Sequence, residues 1–163
     1  MGAGTIVATA VSIVLLIITG YILIGGTIST ARVVALAQQA AADRQAEKLN
    51  TRIEIFSAVT NVTDGRTYIE VNNTGSTTIT DFDHLEIYLL QGGSPYTYLN
   101  QSGPFTWTYT IDPPDLIHPG ILDPDESMNI TVPYDPDPLK GPPLWVQVTT
   151  ANGVYASRYT VVV

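Results

Sequence analysis

Residues 69–90 read IEVNNTGSTTITDFDHLEIYLL. Two apolar runs flank a cluster of Asn, Thr, Gly and Ser. Ile69 and Val71 alternate with Glu70, and Leu85 to Leu90 is nearly all apolar. Period-two patterning bounded by turn residues marks two strands and a connection. Asn and Gly tolerate turn angles, and Thr and Ser hydroxyls satisfy loose backbone groups. Gly75 is the position suited to a positive φ.

Around it, residues 51–163 repeat the pattern. Ile53 and Ile55 share one face, then the phase slips toward Ala58 and Val62, as at a bulge. Thr63-Asp64-Gly65 is a turn. Short strands follow at Thr77–Thr80, Thr97–Leu99, Phe105–Ile111 and Ser127–Val132. Residues 144–163 form a terminal hairpin turning at Ala151-Asn152-Gly153. All eleven prolines lie between Pro95 and Pro143, mostly in expected loops. About eight short strands without a helix predict an Ig-like antiparallel β-sandwich, with Trp107, Trp145, Ile87, Val146 and Val148 in its core.

The first fifty residues are different. No charged side chain precedes Arg32, and Ile6 to Ile28 is dense in Val, Ile and Leu. About 20 apolar residues, at 1.5 Å each, span a hydrocarbon core of about 30 Å. Backbone in lipid must bond internally, so the segment is a helix. Its membrane-facing residues include Ile6, Val11, Leu15, Leu16, Ile18, Ile22 and Ile24. A signal peptide is disfavoured: no basic residue precedes the run, and the run is too long. Gly25-Gly26 marks either close helix packing or a loosened turn. Residues 31–50 are good helix formers without Gly or Pro, so the helix continues. The layout is α+β: a transmembrane helix over 1–30, a helical stalk over 31–50 and a β-domain over 51–163.

The net charge of −8 is uneven: +2 over residues 1–52 and −10 over 53–163. Such an acidic domain repels nucleic acid. The absence of Cys excludes disulfides and thiolate chemistry. His84 and His118 have no zinc-spaced partner. The acids of 112–126 lack EF-hand spacing and are broken by Pro, which favours a solvated loop over a calcium site. No catalytic motif is present, and neither an enzyme nor a cofactor is expected. Four Asn-x-Ser/Thr sequences, at Asn61, Asn72, Asn100 and Asn129, are candidate N-glycosylation acceptors and favour a head outside the cytoplasm. Arg32, Arg44 and Lys48 argue the other way by the positive-inside rule, but large domains translocate with little regard to charge.

The charge-free start MGAGTIVATAVSIVLLIITGYILIGGT, its helical continuation and IEVNNTGSTTITDFDHLEIYLL together resemble the F-type accessory proteins of the archaellum, the archaeal flagellum (the FlaF or ArlF family). They are also broadly similar to archaeal type IV pilin-like proteins and archaellins. Asn72, Asn73, Thr74, Gly75 and Ser76 match a recurrent turn of such heads. Leu122, Pro124 and Glu126 match their L-x-P-G-E turn, with Asp125 where Gly is usual. The resemblance implies an uncleaved membrane helix and an outer β-sandwich that acts as a stator. It implies the membrane, surface-layer protein and other archaellum components as partners, with head dimerisation. The alternative is a filament subunit whose N-terminal helices pack in a core. Such subunits are usually made with a basic leader, and none precedes this apolar run.

Overall fold

The computed structural model describes residues 2–99, 106–115, 117–134 and 139–163. One helix, α1, runs Ala3–Asn50. Gly25 and Gly26 lie within it and do not interrupt it. The hydroxyls of its apolar part bond back to the preceding turn: Thr5 Oγ1 donates to Gly2 O (2.9 Å), Thr9 to Thr5 O (2.8 Å), Ser12 to Ala8 O (2.9 Å) and Thr19 to Leu15 O (2.8 Å). These four hydroxyls are thereby satisfied without water. Ile6, Val11, Leu15, Leu16, Ile18, Ile22 and Ile24 are all exposed, Leu16 by 74%. The helix is long and apolar enough to cross a membrane, and none of its apolar window is buried within the chain.

The chain divides into two compact units, Met1–Arg44 and Gln45–Val163. The second holds the last turn and a half of α1 and nine strands: β1 (Ile53–Asn61), β2 (Arg66–Asn73), β3 (Glu86–Gln91), β4 (Ser94–Leu99), β5 (Thr108–Ile111), β6 (Ser127–Pro133), β7 (Trp145–Thr149), β8 (Tyr155–Tyr159) and β9 (Val161–Val162). They form a five-stranded sheet, β5-β6-β2-β1-β9, and a four-stranded sheet, β4-β3-β7-β8. Inward residues of both sheets meet in one core. Ile69, Ile130 and Val132 come from the first sheet; Ile87, Val146 and Val148 come from the second; all are fully buried. The α+β layout and the two-layer domain match the sequence reading.

The phase slip in β1 is a bulge. Ile55 pairs with Val71 and Ser57 with Glu70, leaving Phe56 as the extra, exposed residue. Arg158 of β8 donates from its guanidinium to the Ile55 carbonyl at 3.0 Å, tying the bulge to the other sheet.

Four details differ from expectation. Thr77–Thr80 is not a strand but a single bridge, Ile79 to Leu122. Beyond it, the Asp81 carboxylate takes the His84 amide at 3.2 Å and curls the chain into a turn. Pro95 lies inside β4, where it pairs with Leu90. Because β4 is an edge strand, the missing N–H goes unneeded. The terminal hairpin ends at Tyr159: the Thr160 amide and hydroxyl bond the carbonyls of Leu144 and Pro143, and β9 crosses to run parallel to β1. Trp145 is half-buried on the outer face, whereas Trp107 is buried and packs against Tyr109, which stacks on Phe82.

Two truncations separate the two apolar regions. In detergent, Ile130→Ala lowers the stability of the sandwich to urea by about 2–5 kcal/mol, read by tryptophan emission. Leu16→Ala, whose side chain supports no core, leaves the same transition within about 0.5 kcal/mol.

Candidate functional site

An α-helix ends with four carbonyls that lack intrahelical partners. Here Thr51, the next residue, takes one of them, and the segment at the end of β2 takes another and bonds the chain just past the helix. The Thr51 amide and hydroxyl both bond the Glu47 carbonyl at 2.9 Å. The Ser76 amide bonds the Asn50 carbonyl at 2.9 Å, and the Thr74 amide bonds the Arg52 carbonyl at 2.9 Å. The stretch Asn72–Ser76, expected as a loop, has Asn72 and Asn73 paired at the end of β2, and with the turn Thr74–Ser76 it forms a collar against the helix exit.

Gly75 makes the collar possible, but not through its φ, which is not positive. A Cβ on Gly75 would lie 2.5 Å from both the Arg52 nitrogen and the Asn50 oxygen. The position needs an absent side chain, because two backbones touch there.

Asn73 holds the collar from beneath. It is fully buried. Its Oδ1 accepts the Gly75 amide at 3.1 Å, and its Nδ2 donates to the carbonyls of Thr77 (2.9 Å) and Leu122 (3.1 Å). Its own amide donates to Glu126 O, and its carbonyl accepts the Asp125 amide. One side chain therefore joins the two segments singled out in the sequence, Asn72–Ser76 and Leu122–Glu126.

The second segment is a tight turn. The Glu126 amide bonds the Asp123 carbonyl at 3.2 Å across Pro124 and Asp125. Asp125 has φ 66°, the sole positive φ at a non-glycine among the described residues. Pro at the second position and a positive φ at the third are the pattern of a type II turn, where Gly is favoured. Asp occupies that region at lower cost than most residues, so the departure from L-x-P-G-E preserves the conformation. The Glu126 carboxylate reaches back to the Asp123 amide at 3.0 Å. Asn152 adds a third contact, donating to Thr51 Oγ1 at 2.8 Å.

A cleft of about 50 Å³ lies beside the collar, lined by Glu47, Thr51, Asp81 and Asn152 among others. It is far smaller than the several hundred Å³ of an organic-ligand pocket. Each histidine pairs with one carboxylate: His84 Nδ1 with Asp81 at 2.8 Å, and His118 Nδ1 with the buried Asp123 at 3.0 Å. Among the described residues no group of three metal-ligating side chains converges. The hydrogen bond to Asp81 holds the His84 imidazole above its ordinary 6.5, and the same bond holds Asp81 below 3.8. The sequon residues Asn61, Asn72 and Asn129 lie on strands of the five-stranded sheet; Asn100 lies outside the described residues. The collar contacts were not visible from sequence, because each joins segments far apart along the chain.

The archaeal-type flagellin family model matches residues 2–159. The chain belongs to that family. No curated protein matches it. Among solved structures it is similar to the archaellum periplasmic stator protein FlaG from Sulfolobus acidocaldarius, at 23% identity and TM-score 0.51, over 67% of this chain and 98% of that one. It is also similar to a chain of the stator protein complex of FlaF and FlaG from the same organism, at 23% identity and TM-score 0.50, over 67% of this chain and 88% of that one. At this identity the likeness establishes the shared fold.

Gly75→Ala forces the two backbones apart and lowers stability by about 1–3 kcal/mol or more. Asp125→Gly leaves stability equal or raises it by up to about 1 kcal/mol; urea titration of both variants checks the pair. Asp81→Asn removes the partner of His84, and its imidazole titration in NMR moves down toward 6.5. In the unaltered pair, the His84 contribution is present below its ordinary pKa and fades as pH rises through the raised value. The Asp81 contribution fades as pH falls through the lowered one.

Proposed function

We propose that this member of the archaeal-type flagellin family is a membrane-anchored, non-enzymatic component of the archaellum, acting as a stator of the F type. One observation carries the reading: the sandwich closes its own core, while none of the apolar window of α1 is buried among the described residues. A hydrocarbon environment satisfies that stretch. The hydroxyls of Thr5, Thr9, Ser12 and Thr19 are already bonded to the helix's own carbonyls, as suits lipid. The fold shared with solved archaellum stator proteins supports the head's place outside the cytoplasm.

On this reading α1 is a single-pass anchor and the collar couples it to the head. Load on the sandwich reaches the helix end through the bonds of Ser76 to Asn50 and of Thr74 to Arg52, just past it. The head grips surface-layer protein and pairs with other archaellum components or with a second head. The open edges β8 and β9 expose Tyr155, Tyr159, Val161 and Val163. Exposed aromatic and aliphatic side chains gathered at a sheet edge suit a protein partner.

A second reading, a filament subunit with helices packed in a common core, is favoured by the family's own description as flagellin. Packed neighbouring helices cover an apolar stripe as lipid does. The two separate in one experiment. For a stator, the full-length protein stays with detergent-extracted membrane and retains surface-layer protein on a column, and Tyr155→Ser with Tyr159→Ser weakens that retention at least tenfold. Co-sedimentation with sheared filaments, and no retention of surface-layer protein, contradicts the stator reading.

A further inference from the structure

Three of the four Asn-x-Ser/Thr sequences fall among the described residues, and they present themselves differently. In Asn72-Asn73-Thr74 the middle residue is the buried hub of the collar, and Asn72 Oδ1 is itself buried. In Asn129-Ile130-Thr131 the middle residue is fully buried in the core, and the segment is hydrogen-bonded on both sides, to β2 and β5. Neither segment can leave its sheet to enter an enzyme without unfolding the domain.

Asn61 is placed otherwise. It is the last residue of β1 and opens the turn Val62–Gly65 into β2. Val62 and Thr63 are exposed, Val62 by 55%. Asn61 Oδ1 accepts the amide of Thr63 at 2.9 Å and that of Asp64 at 3.2 Å. This is an Asx-turn, a closed local loop built by the acceptor's own side chain. Two N–H groups on the carboxamide oxygen draw electron density from its nitrogen and make the Nδ2 protons easier to lose. Nδ2 also donates to Asp64 Oδ2 at 2.9 Å. The Thr63 side chain, two residues on, stands exposed beside it.

We propose that Asn61 is the N-glycan attachment site of the folded head among these three sequons. The donor class is a glycan carried on a lipid phosphate. Asn61 Nδ2 forms a bond to the anomeric carbon of the glycan. The bond from that carbon to the phosphate oxygen breaks, and the lipid phosphate leaves with the electron pair. The amide gives up one proton to the transferase, and nothing is oxidised or reduced. The site rests on the reading that places the head outside the cytoplasm. Asn61 lies at the opposite end of β1 from the helix exit, roughly 26 Å away by strand rise. A glycan there leaves the collar clear.

The sequence offers a clean assay. Trypsin cleaves after Arg52 and Arg66, so peptide 53–66, IEIFSAVTNVTDGR, carries Asn61 and no other sequon. In full-length protein purified from its native host, mass spectrometry of this peptide shows added glycan mass on Asn61. Thr63→Val abolishes the addition while keeping the turn, which uses only the main-chain N–H of Thr63; Thr63→Ser retains it. Protease added to intact cells reports topology in the same preparation. A bare 53–66 peptide in a head that protease reaches overturns the glycan site alone. A bare peptide in a head that protease cannot reach overturns both the site and the outside placement.

Discussion

The last carbonyls of a helix lack intrahelical donors, and here the end of β2 with the turn after it, Asn72–Ser76, bonds the chain at Asn50 and just past the helix at Arg52. Thr74 and Ser76 give their amides to Arg52 and Asn50. Gly75 lets the backbones touch. Asn73 fixes the loop to Leu122, Thr77 and the turn at Asp125. A buried polar side chain left without partners costs about 1–3 kcal/mol, so Asn73 makes these contacts together or loses its place in the core.

The chain has two apolar surfaces and covers only one of them. The sandwich encloses Ile69, Ile87, Ile130 and Val148 between two sheets. Among the described residues, none covers the apolar side chains of α1 between Ile6 and Ile24. Burying a side chain such as Leu or Ile contributes about 1.5–3 kcal/mol. With Ile6, Val11, Leu15, Leu16, Ile18, Ile22 and Ile24 all exposed, leaving them in water costs as much as the roughly 5–15 kcal/mol stability of an ordinary domain.

Much of this was legible in the sequence. Alternation located β1, β2, β6 and β7, because strands with one buried face must alternate. The slip after Ile55 exposed the bulge, because one extra residue inverts the phase. The charge-free start identified the apolar helix by length. What stayed hidden depended on distant partners. Gly75 looked like a residue chosen for φ, when its role is close approach to Asn50 and Arg52, far earlier in the chain. Asn73 looked like one more turn residue, when one of its partners, Leu122, lies 49 residues away. The run RYTVVV reads as one strand, and only the bonds of Thr160 to Pro143 and Leu144 show the chain changing sheets. Asp125 appeared to break a turn pattern, and its positive φ shows the pattern kept.

Amide hydrogen exchange at the collar tests the central claim most directly. If the loop is built around the helix exit, the amides of Thr74 and Ser76 exchange only when the sandwich opens, as slowly as that of Ile130 in mid-strand. Exchange of Thr74 and Ser76 at the rate of an open loop, with Ile130 still protected, would mean that the helix end is not held and that the coupling described here does not exist.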